Sequence, residues 1–397
     1  MHTRINPPRH SWAPALTPAA SAHLDLVRGF AAWAVMWGHL RALFFVDYPQ
    51  VQHRVLPLGI LYFFTGFGNE AVLVFFVLSG FLISSAILTR HACGSWSWRD
   101  YAVDRLSRLY VVLIPGLALG FLWDKLGSAL FASTGLYSHP LDSFGSTVVQ
   151  NQLGIEVLLG NLSFLQTILC PTFGSNGPLW SLANEFWYYV MFPLALAGAS
   201  AWKRMSFHRA IPLTVLLACV AVFVRWKILL GFPIWLAGTA LVVAYSKRTV
   251  PQGRFRLVYL SLSSILLSVC LIAARTGKSA LLGSDLSVGI AFALFLLGVL
   301  RADFDVQRRF YSRIAHGLAG FSYSLYVLHF PFLLFLRAWI APYQKWQPDT
   351  LHLASGVAIG VLVLGFAWFV SKATEEKTGV VRQWMKQAIP LLDAQSK

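Results

Sequence analysis

The sequence is short of charge, and of negative charge most of all. Its 397 residues hold 16 Asp and Glu against 32 Lys and Arg, and only 12% of positions are charged, about half the roughly 25% usual in soluble domains. With 57% hydrophobic residues, this scarcity excludes an ordinary water-soluble domain and indicates a membrane protein. The four cysteines, Cys93, Cys170, Cys219 and Cys270, are far apart and make no CxxC or zinc spacing. A disulfide framework and a metal site are therefore not expected. Residues 1–22 contain Pro7, Pro8, Pro14 and Pro18 but no apolar core, so no cleavable leader is expected and the first span serves as its own anchor. The alternating period of an outer-membrane barrel is missing too. No internal repeat is evident, which weakens a transporter built from two similar halves. A net charge of +16 would suggest nucleic acid in a soluble protein. Here the basic residues lie between hydrophobic runs, as in cytoplasmic loops.

What the chain does have is a series of apolar runs near the roughly 20 residues that cross a ~30 Å hydrocarbon core as helix. Spans are predicted near 24–45, 69–88, 107–123, 180–199, 210–225, 228–245, 257–274, 284–300, 316–338 and 351–371. The expected fold is all-α, a polytopic membrane helix bundle of about ten transmembrane helices. With the N-terminus inside, the cytoplasmic segments collect 22 Lys and Arg and the opposite side and outer span ends 9. That asymmetry predicts both termini cytoplasmic, in an inner or plasma membrane. The domain plan is a disordered cytoplasmic N-tail (1–22), a membrane domain (23–372) and a cytoplasmic C-tail (373–397). Residues 124–179 form a long Gly/Ser-rich extracytoplasmic segment, with Leu153 to Leu169 read as a short re-entrant or interfacial helix. A crossing there would put the downstream basic loops outside. Asn161-Leu162-Ser163 fits a glycosylation triplet, of a kind common by chance.

Several ionisable side chains fall inside these spans, where a charge costs about 2.5–3.5 kcal/mol on insertion scales. The stretch RGFAAWAVMWGH (28–39) places Arg28 and His39 eleven positions apart, close to three helical turns, so both face the same way with a rise of about 16.5 Å between them. Asp25, one turn earlier, can hold Arg28 by an ion pair. The bland reading is that Arg28 snorkels to the headgroups and His39 bonds a neighbouring helix. In GNEAVLVFFVLSGFLIS (68–84), Ser79-Gly80 permits close helix contact, and Glu70 sits at the span entry. In GPLWSLANEFWYYVMFP (177–193), Glu185 is about one turn inside an aromatic helix and wants a partner, while Trp180, Trp187, Tyr188 and Tyr189 resemble an interfacial belt. In GFSYSLYVLHFP (320–331), Tyr323, Tyr326 and His329 make one polar stripe. In WSWRDYAVDRLSRLYVVLIP (96–115), Arg105 and Arg108 at i, i+3 suit a phosphate as well as plain cytoplasmic charge.

Together these stretches resemble the acyltransferase-3 family of integral membrane acyltransferases. The resemblance is carried by Asp25-Leu26-Val27-Arg28-Gly29 with His39 (the family's Arg-ten-residues-His motif), FFVLSGFLI (75–83), RLSRLY (105–110), WSLANEFWYY (180–189) and SYSLYVLH (322–329), in the family's order over about 350 residues. Two departures are visible: Leu73 stands where members often have an acidic residue, and the tail reads ATEEKTGVVR (373–382) where members often show Glu-x-Pro. The resemblance implies transfer of an acyl group, most often acetyl, from cytoplasmic acyl-CoA to a hydroxyl of a saccharide or lipid-linked glycan, with membrane lipids around it and no metal. On that reading Arg28, Arg105 and Arg108 hold the phosphate-bearing end of the donor. His39 is the general base, helped by Glu185, and His329, Tyr326 and Trp180 serve the acceptor. A glycan or lipid transporter using the same buried groups as a proton relay is the rival expectation.

Overall fold

Every element is helical in the computed structural model, which describes residues 16–141, 148–247, 254–301 and 309–388. The elements are α1 (Pro18–Phe44), α2 (Leu56–Phe64), α3 (Gly68–Ala92), α4 (Trp98–Leu130), α5 (Ile155–Leu162), α6 (Leu179–Lys203), α7 (Phe207–Ser246), α8 (Arg254–Thr276), α9 (Asp285–Arg301), α10 (Arg309–Ala319), α11 (Ser322–Ile340), α12 (Thr350–Ala373) and α13 (Thr378–Ala388). Six helical stretches among the described residues are long and apolar enough to cross a bilayer: 56–92, 98–130, 207–246, 255–276, 322–340 and 350–388. This is an all-helical membrane protein. The first expected span is a 27-residue helix that carries Asp25, Arg28, His39 and Arg41, and its polar content keeps it out of that set. The last span before α10, at 17 residues, is short for a crossing.

Three boundaries differ from the sequence reading. Helix α1 begins at Pro18, inside the tail expected to be disordered; proline suits a first helical turn because its missing N–H would have no acceptor there. Residues 1–15 of that tail lie outside the described residues, as do 389–397 of the C-tail. The expected spans 210–225 and 228–245 fall within α7, which is broken at Arg225 by φ 65° and ψ 163°, where the connection was expected. The stretch Leu153 to Leu169 is not one helix. Helix α5 covers eight residues, about 12 Å, and the chain then turns through positive φ at Phe164 and Thr167. Asn161 ends it by spending its side chain on the backbone: Nδ2 donates to Val157 O (2.8 Å) and Pro171 O (2.9 Å), and Oδ1 accepts from Phe173 N (3.1 Å). Asn161 is fully buried, so the glycosylation triplet is structural.

The chain forms two units, one of residues 1–25, 73–98 and 185–315, the other of 26–72, 99–184 and 316–397. In the first, α3 crosses α7 at glycines, as Ser79-Gly80 suggested. A Cβ on Gly80 would lie 1.9 Å from Trp235 O, and one on Gly238 2.1 Å from Val77 O. Only hydrogen fits between backbones so close. Gly80→Val is therefore expected to destabilise the protein by about 3 kcal/mol, the upper end of overpacking costs, read as a lower melting temperature in detergent.

In the second unit, three helices run in one direction. Leu318, just before α11, meets Gly29 of α1, and His329 meets His39; Arg337 Nε then donates to Leu43 O (2.9 Å). Helix α4 keeps the same register: Tyr323 OH donates to Leu109 O (3.3 Å), Val327 covers Gly116, and Pro331 packs at Gly120. Helix α12 runs the opposite way, since its Gly356 packs on Phe45, its Gly360 on Trp37, and Glu375 beyond its far end reaches Ser324. Asp349 caps α12 by accepting from His352 N (2.9 Å), and that bond together with the His352 ring holds its carboxyl below the usual range. The chain just ahead of α6 is folded onto these helices: Ser175 N donates to Asp124 (2.8 Å), and Asn176 Nδ2 to Val327 O (2.9 Å).

Candidate active site

Two helices running the same way bring two histidines together. His39 of α1 and His329 of α11, 290 positions apart in the chain, meet with Nδ1 of the first 2.7 Å from Nε2 of the second. Their rings are nearly parallel, at 12°, and Phe330 sets its edge against His39 at 5.1 Å between centroids. His329 is buried, and its Nδ1 lies 2.9 Å from both Leu325 O and Tyr326 O. Carbonyl oxygens only accept, so that nitrogen carries the proton and Nε2 carries the lone pair. His39 Nδ1 must then be the donor to it, which directs the His39 lone pair to Nε2. The tautomers follow from the hydrogen-bond network; a backbone carbonyl sets the state of one imidazole, and that imidazole sets the next.

One turn below His329, Tyr326 closes another contact. Its hydroxyl lies 2.6 Å from Ser181 Oγ and donates to Pro178 O (3.1 Å). Trp180 sits beside Ser181 at the start of α6, so two of the three residues assigned to the acceptor lie at one joint. Ser181 was missed; its signal was its position in WSLANE, directly after Trp180.

At the N-terminal end of α11, Arg28 of α1 and Arg108 of α4 are near enough to the carboxylate of Glu375 to favour its charge, since Gly29 packs on Leu318 and Leu109 O accepts from Tyr323 OH at that end. Glu375 Oε2 also accepts from Ser324 N (3.0 Å) and Ser324 Oγ (3.1 Å). Arg105 lies one turn before Arg108, and its Nε makes no hydrogen bond among the described residues. Glu375 lies in the tail that departs from Glu-x-Pro, a departure that made a role for it or Glu376 doubtful from sequence. It reaches Ser324 because α12 runs antiparallel to α1 and ends at Ala373.

Glu185 belongs to the other unit. Tyr189 OH donates to it, Ser79 Oγ to Tyr189 OH (3.3 Å), and Trp235 Nε1 to Ser79 Oγ (3.2 Å). Helices α3 and α7 thus fix Tyr189, which holds the carboxylate. No group of three or more His, Cys, Asp or Glu side chains suited to a metal ion occurs among the described residues.

A family model described as an acyltransferase domain, Acyl_transf_3, matches residues 21–372. Among curated proteins, the acyltransferase MdmB of Streptomyces mycarofaciens is 28% identical over 226 residues, covering 54% of this chain and 45% of that protein. An uncharacterized protein of Haemophilus influenzae is 31% identical over 126 residues, or 31% of this chain and 47% of its own. YrhL of Bacillus subtilis, provisionally named a peptidoglycan O-acetyltransferase, is 28% identical over 159 residues, or 39% and 23% of the two chains. The matches thus span less than half the length of each of these relatives. No solved structure matches the chain.

Proposed function

The chain belongs to the acyltransferase-3 family, and from that premise we propose that it transfers an acyl group, acetyl in the first instance, from cytoplasmic acyl-CoA to a hydroxyl of a saccharide or lipid-linked glycan, with His39 as the general base. The observation that carries this reading is the His39–His329 contact of 2.7 Å with His329 Nδ1 on two carbonyls. It presents a neutral imidazole with its lone pair on a defined nitrogen. An alcohol is a poor nucleophile at neutral pH, and a base that takes its proton during attack contributes about 10²–10⁴-fold. In the proposed step the acceptor oxygen bonds to the thioester carbonyl carbon and the hydroxyl proton passes to His39 Nε2. The carbon–sulfur bond then breaks, and the proton leaves with the CoA thiolate as thiol.

Arg28 and Arg108, joined by Arg105, hold the donor's phosphate-bearing end. Arg28 and His39 are about 16.5 Å apart along α1, a span suited to a long donor arm that starts at the arginines and ends at the imidazole. Tyr326, Ser181 and Trp180 hold the acceptor. The proposed topology is ten spans with both termini cytoplasmic and residues 124–179 on the far side. It is supported by the common direction of α1, α4 and α11, the opposite run of α12, and the basic-residue asymmetry.

The test is transfer of label from acyl-CoA to glycan by membranes containing the protein; a protein that moved glycan without consuming acyl-CoA would overturn the reading. Arg28→Gln is expected to raise the KM for acyl-CoA by about 10- to 100-fold, the range of one lost hydrogen bond to a charged group. The KM for the acceptor should not move. An equal rise in both constants would remove Arg28 from the donor site.

A further inference from the structure

The N-terminal end of α11 already holds an anion, and that anion belongs to the chain. Glu375 Oε2 accepts from the backbone N–H and the hydroxyl of Ser324 (3.0 and 3.1 Å). Ser324 lies in the first turn of α11, where N–H groups have no acceptor within the helix and the dipole favours negative charge. Gly29 of α1 packs on Leu318 and Leu109 O of α4 accepts from Tyr323 OH at this end of α11, and the adjoining Arg28 and Arg108 favour the charge of the same carboxylate. Two guanidiniums from separate helices, a helix-terminal N–H and a hydroxyl are the complement of a phosphate group. The Glu375 carboxylate meets the two Ser324 donors with less charge than a phosphate carries.

We propose that Glu375 holds the place of a donor phosphate: acyl-CoA enters by displacing the Glu375 carboxylate from Ser324, and Ser324 together with the neighbouring Arg28 and Arg108 then binds a phosphate of CoA. This rests on the donor reading above and adds Ser324 to it. The two anions exclude each other, because a phosphate and a carboxylate cannot share one set of donors without like-charge repulsion. The displaced segment stays tethered. Helix α13, which follows Glu375, is tied to the first turns of α4 by Arg382 to Asp104 (3.4 Å), Lys386 to Asp100 (3.1 Å) and Arg99 to Lys386 O (2.7 Å). When donor leaves, Glu375 is near enough to return and neutralise the arginines.

The sign of one substitution decides the matter. If Glu375 only positioned the arginines, its loss would weaken donor binding; if it occupies the phosphate's place, its loss strengthens it. Full-length protein in detergent is titrated calorimetrically with CoA and, separately, with inorganic pyrophosphate, as wild type, Glu375→Gln and Glu375→Ala. The Gln amide oxygen keeps both Ser324 bonds without the charge, so an unchanged unliganded melting temperature controls for folding. CoA and pyrophosphate are both expected to bind about tenfold more tightly in the two variants, about the worth of one charge-assisted bond. Arg108→Gln should reverse the gain. Unchanged or weaker binding of both ligands in Glu375→Gln overturns the subsite. Tighter pyrophosphate with no CoA binding in any form keeps the subsite and sinks the donor assignment. Displacement of pyrophosphate by phosphatidylglycerol micelles but not by CoA would assign the same site to a lipid headgroup and overturn the proposal as stated.

Discussion

Replacing His39 by alanine is expected to lower acyl transfer by about 10²–10⁴-fold, the share that a positioned general base contributes, while the protein still inserts and runs as a single species in detergent. The expectation rests on the ring's place in a fixed chain of donors and acceptors. Leu325 O and Tyr326 O accept from His329 Nδ1, and His329 Nε2 accepts from His39 Nδ1. Each link leaves the next nitrogen only one role, so the reacting lone pair is defined before substrate arrives, which is the meaning of preorganisation here. The measurement is initial rate with labelled acyl-CoA at saturating donor and acceptor. A variant within threefold of wild type would show that the imidazole is only a packing contact between α1 and α11.

Much of this arrangement is legible in the sequence, because helical spacing is a local property. Arg28 and His39 lie on one face of α1, and Tyr326 and His329 on one face of α11, since 3.6 residues per turn leave no alternative once the segments are helical. Ser79-Gly80 as a close-contact site is read the same way, small residues marking where backbones approach. What the pattern leaves undefined is which helices neighbour one another. Nothing local pairs residue 39 with residue 329, or brings a tail carboxylate near arginines nearly 270 and 350 positions earlier. Those pairings follow from the direction in which α1, α4, α11 and α12 run. The tail was harder still: Glu375 could be judged only against a motif it lacks, whereas its place beyond the end of α12 gives it a partner in Ser324. Hydrophobic content in 153–169 indicates a short helix but not that it stops after the eight residues of α5. Asn161 consumes its amide on Val157, Pro171 and Phe173 and turns the chain instead.

Substitutions at His329 should separate a positioning role from simple packing, and their effect should approach that at His39. In His329→Leu the His39 Nδ1–H loses its acceptor in a buried setting, which costs about 1–3 kcal/mol and frees the ring to turn its other nitrogen toward the acceptor. A fall of roughly 10²-fold in rate is expected, with the KM for acyl-CoA unchanged, because the arginines are untouched. His329→Gln keeps a side-chain oxygen that can accept from Nδ1, and it should recover at least tenfold of the loss. Packing alone cannot produce that difference, since Leu fills the space as well as Gln does. The double variant His39→Ala with His329→Leu should be no slower than His39→Ala alone, since groups that act as one unit are not additive. If the two losses multiply, each histidine acts on the reaction by a separate route, and His329 is then a second catalytic group.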